Sequence, residues 1–156
     1  MMMRGSLVLV DTNILLTATD SSRPGFKEAR ELFTRAPASG VHLCVSGQII
    51  REYLVVATRP ATVNGLGLSP SDAKYNIQAL QRRLVFLEED ERVSSELLSL
   101  VQKHELSGKR IHDANIVALM HKEDISLLIS CNPEDFSPFS EIEVMRPKYF
   151  LKQLHG

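Results

Sequence analysis

The chain has no tryptophan, only two cysteines among 156 residues, and no surplus of either charge. Each shortage removes a class of protein. Eighteen Lys and Arg against nineteen Asp and Glu leave a formal net charge of −1, so no global basic field advertises tight, electrostatically driven binding to DNA. A brief grip on a few phosphates needs no such field. Cys44 and Cys131 stand in apolar, strand-like contexts without CxxC spacing, which reads as buried reduced thiols rather than a disulfide framework or a zinc site. No apolar run is long enough to span a bilayer. The run in MMMRGSLVLV breaks at Asp11, too soon for a secretory signal, so a cytoplasmic protein is expected. There is no internal repeat, low-complexity run or composition break. One domain over 1–156 is therefore expected, with a core at about 6–147. Gly-rich phosphate loops and nucleophile-elbow signatures are missing too. The five histidines, at 42, 104, 112, 121 and 155, are scattered.

What is present is alternation. Ser6–Val10 is an apolar run of parallel-strand character. Residues 24–36 carry Phe26, Ala29, Leu32 and Phe33 at helical spacing, opened by Pro24-Gly25 and closed near Pro37. Val41–Val45 reads as a second strand, and Ser46 as the N-cap of a helix bearing Ile49, Ile50, Tyr53 and Leu54. Residues 60–70, PATVNGLGLSP, form an irregular stretch, either functional or merely mobile. Ser69 or Ser71 opens a further helix through about Arg83, and Val85–Leu87 is a short strand. Glu91–Glu105 is an amphipathic helix stopped by Gly108. Ile111–His121 is apolar almost all round and predicts a buried helix. Ser126–Ser130 and Glu143–Met145 are strands, and Pro147 begins a terminal helix. Strands alternating with helices imply an α/β fold, a mostly parallel sheet covered on both faces.

Four acids stand at the junctions of this pattern: Asp11, Glu52, Asp113 and Asp135. Asp11 follows directly on the first strand, at the carboxyl end where open α/β sheets place their chemistry. Asp113 lies near the start of the most apolar helix, where a charge is costly unless it faces a wet or metal-bound site; serving as the helix N-cap is the plainer alternative. Glu52 is either a solvated helix residue or, given Ile49, Ile50, Tyr53 and Leu54 around it, part of the same site. Asp135 lies in a turn-forming segment just past a strand end. Should the four converge, their mutual repulsion calls for protons or a hard divalent cation. Arg51, Arg59, Lys109 and Arg110 flank the acid-bearing segments and are candidate phosphate contacts, each also readable as an ordinary solvated charge.

Taken in order, Asp11-Thr12-Asn13, the apolar helix reaching Glu52, Asp113-Ala114 opening a buried helix, and Leu127–Ser130 leading through Asn132 to Asp135-Phe136 resemble the PIN domain. The likeness spans about residues 6–147 and extends in length and layout to single-domain VapC-type toxins of toxin–antitoxin pairs. It implies a three-layer α/β/α domain and a metal-dependent ribonuclease. Asp11, Glu52 and Asp113 would bind Mg²⁺ or Mn²⁺, and Asp135 or Asn132 would complete the site. Asn13, and Thr12 or Ser130, would orient the acids or a metal-bound water. Arg51 and Arg110 would contact an RNA substrate. A homodimer and a cognate antitoxin are implied as well.

Two rival readings stay open on the sequence. A catalytically silent PIN-like module would bind RNA or protein, and Asn132 in place of an acid is its support. A different α/β enzyme, a metal-dependent phosphatase or a receiver-like phosphoacceptor, is the other. A receiver would need paired acids at the first strand and a lysine after a late strand, and neither is evident.

Overall fold

The computed structural model describes residues 5–154; the readings made of Met1–Arg4 and of His155 lie outside the described residues. Elements follow in the order β1 (Leu7–Val10), α1 (Thr12–Ala18), α2 (Phe26–Ala38), β2 (His42–Ser46), α3 (Gly47–Thr58), α4 (Pro70–Gln81), β3 (Val85–Leu87), α5 (Glu91–His104), α6 (Arg110–Lys122), β4 (Leu127–Ile129), β5 (Glu143–Met145) and α7 (Pro147–Gln153), with short 3-10 turns at Ala61–Val63 and Pro133–Phe136. The five strands form one sheet in the order β3-β2-β1-β4-β5, and every neighbouring pair is parallel.

The central strands are apolar because both their faces are covered. Val8, Leu9 and Val10 of β1 and Leu128 and Ile129 of β4 are fully buried, as parallel strands between two helix layers require. From β1 the chain steps outward to β2 and β3, then returns past β1 to β4 and β5. Right-handed crossovers place helices of the two excursions on opposite faces. The contacts agree: α1 packs on α2 and α3, α3 on α4, and α2 on α7, while α5 and α6 pack on each other. The reversal of strand order falls between β1 and β4, so the connections leaving their carboxyl ends run in opposite directions and open a crevice above the two strands. Asp11 and Ser130 are the first residues beyond those two ends.

Helix α6 anchors the second layer. Ala114, Ile116, Val117, Ala118, Leu119 and Met120 are all buried, and each large side chain contributes about 1.5–3 kcal/mol. That burial fixes the helix's rotation and thus the direction of Asp113. On the opposite layer Tyr53 is fully buried, and its hydroxyl meets Thr19 Oγ1 at 2.9 Å, tying the end of α1 to α3.

Several boundaries differ from the sequence expectation by one or two residues. Ser69 rather than Ser71 caps α4, its Oγ accepting from the Asp72 amide. Helix α4 ends at Gln81, two residues before the expected stop. Helix α1 was not anticipated, because the apolar run after Asp11 is too short to show a period. Of residues 60–70, which the sequence left between functional and mobile, 60–68 are a return turn hydrogen-bonded to α3, and Ser69 and Pro70 already open α4. Gly65 donates to Pro60 O, Leu66 to Val56 O, Gly67 to Arg59 O and Leu68 to Ala57 O. Carbonyls at the carboxyl end of α3 thereby find partners. Gly65 is required sterically, since a Cβ there would stand 1.9 Å from the Arg59 carbonyl oxygen. Gly65→Ala is therefore expected to lower unfolding stability by about 1–3 kcal/mol, read by urea denaturation; an unchanged midpoint would show that the turn can relax freely.

Candidate active site

The crevice is built around Asp11. Its backbone N–H completes the β1–β4 ladder by donating to Ile129 O at 2.9 Å, which fixes the residue at the sheet's edge. Its side chain caps α1, with Oδ1 accepting from the Thr12 amide at 2.8 Å. Oδ2 accepts from Ser130 Oγ at 2.8 Å and from Asn13 Nδ2 at 3.3 Å. Asn13 is itself held: its Nδ2 also reaches Ser130 Oγ, and its Oδ1 accepts from the Cys131 amide. A carboxylate only 9% exposed thus keeps donors on both oxygens.

Glu52 is held in the same manner on α3. Its Oε2 accepts from Thr12 Oγ1 at 3.0 Å and its Oε1 from Gln48 Nε2 at 2.7 Å. The buried Gln48 also donates to His112 O and accepts from Asn115 Nδ2, and Asn115 in turn reaches Glu89 Oε1. One chain of side chains therefore runs from α1 through α3 to α6 and the residues after β3. Sequence reading missed Gln48, Asn115 and Glu89. Two signals were available: Gln48 precedes Glu52 by one helical turn, and Asn115 is a polar residue inside an otherwise apolar helix.

Asp113 does not cap its helix. Helix α6 starts at Arg110 and has Lys109 at its N-cap position, so Asp113 lies at the end of the first turn, half-buried. Among the described residues it accepts no side-chain hydrogen bond, and neither does Asp135. Asp135 is exposed on the 3-10 turn Pro133–Phe136. Asn132 contributes through its backbone, donating N–H to Ser130 Oγ at 3.1 Å.

All four acids share one electrostatic neighbourhood. Burial pushes the Asp11 carboxyl above its ordinary range, against the lowering effect of Ser130 and Thr12, and the charges of Glu52 and Asp135 push it further. Burial, followed by the charges of Asp11, Asp135 and Glu52, raises Asp113 to about 6, with His112 acting weakly the other way. Among the described residues, no three carboxylate, thiol or imidazole groups already close on one point as a preformed metal cage. The arrangement is instead two carboxylates clamped by donors, Asp11 and Glu52, with two uncommitted ones beside them. That is a hard, all-oxygen donor set. It suits Mg²⁺, which keeps several waters and takes one or two carboxylates rather than a closed cage.

A groove of about 460 Å³ opens beside Glu52, lined by Thr12, Gln48, Arg51, Val55, Arg59 and His112 among others. Arg51 and Arg59 are exposed and form no ion pair among the described residues. Arg110, on the first turn of α6, and Lys109 before it are exposed as well. Cys44 is buried and Cys131 partly so, and both are free thiols, as expected. Burial raises both, Cys44 to about 11, which leaves neither poised as a nucleophile.

The sequence matches the PIN domain model over residues 8–142, and the chain belongs to the PIN domain family. No curated protein matches it. Among solved structures it is similar to VapBC2 from Rickettsia felis bound to a promoter DNA fragment, at 14% identity and a TM-score of 0.68, covering 90% of this chain and 98% of that one. DNA-bound VapBC from Salmonella typhimurium matches with 16% identity and a TM-score of 0.69 over 91% and 98% of the two chains. VapC20 from Mycobacterium tuberculosis, a sarcin–ricin-loop-cleaving toxin, matches with 14% identity and a TM-score of 0.61 over 78% and 86%. At these identities the likeness is one of fold.

Crowding of the acids has a measurable consequence. Asp113 ionises less readily folded than unfolded, so its charge opposes folding. The opposition is absent below about pH 4, grows between the ordinary value of 3.8 and about 6, and is complete above that. Without divalent ions, Asp113→Asn is expected to match the wild type in stability at pH 3.5. At pH 7.5 it should exceed the wild type by on the order of 1 kcal/mol, solvent screening having been allowed for. A variant less stable than wild type at pH 7.5 would contradict the crowding.

Proposed function

We propose that this protein is a divalent-metal-dependent ribonuclease and the toxin of a type II toxin–antitoxin pair. One observation carries the reading: Asp11, Glu52, Asp113 and Asp135, spread over 125 positions of sequence, act on one another electrostatically at the switch point of the sheet. Asp11 and Asp113 would be the principal ligands of Mg²⁺ or Mn²⁺, with Glu52 and Asp135 completing the acidic set. Bound there, such an ion supplies an activated water and neutralises charge on the scissile phosphate.

The chain's own residues supply the positioning. Ser130 and Asn13 hold Asp11 Oδ2 toward one side, leaving its remaining lone pairs for a ligand. Thr12 and Gln48 do the same for Glu52. Among the described residues no side chain has the surroundings of an activated covalent nucleophile, so direct attack by water is the consistent chemistry. Arg51, Arg59 and Arg110 are the cations within this neighbourhood suited to phosphate. RNA is favoured over DNA as substrate by the VapC20 likeness and by the resemblance seen in the sequence. The neighbours solved as VapBC complexes support a cognate antitoxin as partner. A homodimer working in the cytoplasm, where free thiols persist, completes the proposal.

Asp11→Asn and Asp113→Asn are each expected to reduce Mg²⁺- or Mn²⁺-dependent cleavage of RNA by about a thousandfold, since several kcal/mol of charge stabilisation is removed. The far-ultraviolet circular dichroism spectrum should stay unchanged. Undiminished cleavage in both variants would overturn the assignment. Cleavage unaffected by chelation of divalent ions would overturn the metal.

A further inference from the structure

The groove beside Glu52 has a composition that the acid cluster does not need. Arg51 and Val55 of α3, one turn apart, and Arg59, the residue that caps the helix's carboxyl end, line it together with His112 of α6. Val55 is 56% exposed, an apolar surface between two cations. The guanidinium-bearing residues lie about 12 Å apart along the helix, enough to reach different phosphates of one strand. Arg59 is held at its end by the return turn, through Gly67 N–H to Arg59 O.

We infer that this groove seats one unpaired nucleobase of the RNA next to the scissile phosphate, on a Val55–Val56 shelf with the His112 ring or an arginine plane against it, and does so without reading which base it is. The inference rests on the ribonuclease reading above. Two properties of the walls carry it. First, bases stack on imidazole and guanidinium planes, and a base still stacked in a duplex cannot enter a groove on a helix flank. Second, the groove's short polar groups are already committed. Gln48 donates to Glu52 and His112 O and accepts from Asn115, and Thr12 donates to Glu52. Of the others, His112 offers its ring for stacking and Arg51 and Arg59 offer charge, and every nucleotide gives those two a phosphate. Stacking without edge contacts tolerates any base.

The test is a scan of single abasic nucleotides through a single-stranded RNA of about ten nucleotides, cleaved by the full chain in Mg²⁺. One position adjoining the cut is expected to lose about tenfold in rate when its base is removed. Exchange among the four bases at that position should change the rate by less than about threefold. Val55→Glu, a change at an exposed helix position, should erase the abasic penalty by slowing intact substrate to the abasic rate. Arg59→Ala should lower the salt dependence of binding instead.

A flat scan in an enzyme that still needs Asp11 would overturn the base site and leave the ribonuclease standing. So would base exchange as costly as base removal. Val55→Glu that cleaves every substrate like wild type but no longer binds the antitoxin would assign the groove to a polypeptide. Absence of any metal-dependent cleavage would remove the ribonuclease reading and this inference together.

Discussion

Four carboxylates forced into one crevice are the constraint on which the rest of this structure depends. Left alone, desolvation and repulsion would drive protons onto them or push the segments apart. The fold answers with donors at two of them: Asp11 receives the Thr12 amide, Ser130 and Asn13, and Glu52 receives Thr12 and Gln48. At half-buried Asp113 and exposed Asp135, no side-chain donor is supplied among the described residues. The negative charge is thus stabilised from behind and left open in front, the arrangement expected of a site completed by a cation.

The sheet makes this geometry possible. Strand order reverses between β1 and β4, so the residues after those strands, Asp11 and Ser130, meet across the crevice while their neighbours diverge. Helices α3 and α6 then bring Glu52 and Asp113 from opposite layers. Each is oriented by burial on its helix's other faces, Ile49 and Tyr53 on α3, Ile116 and Val117 on α6. Gln48 bridges the two layers by holding both Glu52 and the His112 carbonyl. The polar chain is thereby structural as well as chemical: its members fix the distance between layers that the acids must span.

Much of this was legible in the residues. The all-apolar β1 ending in Asp11, the Ser46 cap, and the buried periodicity of α6 follow from local patterns, and the parallel sheet follows from their alternation. The fourth corner was not legible. Asn132 and Asp135 lie three residues apart in a turn, and only the three-dimensional path shows Asn132 acting through its amide while the Asp135 charge reaches Asp11 and Asp113. The polar chain Gln48–Asn115–Glu89 was missed because its contacts join residues 26 to 67 positions apart, which no periodicity encodes. Helix α1 was hidden by its brevity. The return turn at 60–68 looked loose because its order comes from hydrogen bonds back to α3 rather than from its own sequence.

The central claim is that the open side of the acid cluster is a divalent-metal site. The most direct measurement is anomalous diffraction from crystals of the protein soaked in Mn²⁺. A peak within bonding distance of the Asp11 and Asp113 carboxylates is expected, and it should vanish in crystals of Asp11→Asn. No peak there at saturating Mn²⁺, with both carboxylates accessible in the lattice, would contradict the claim.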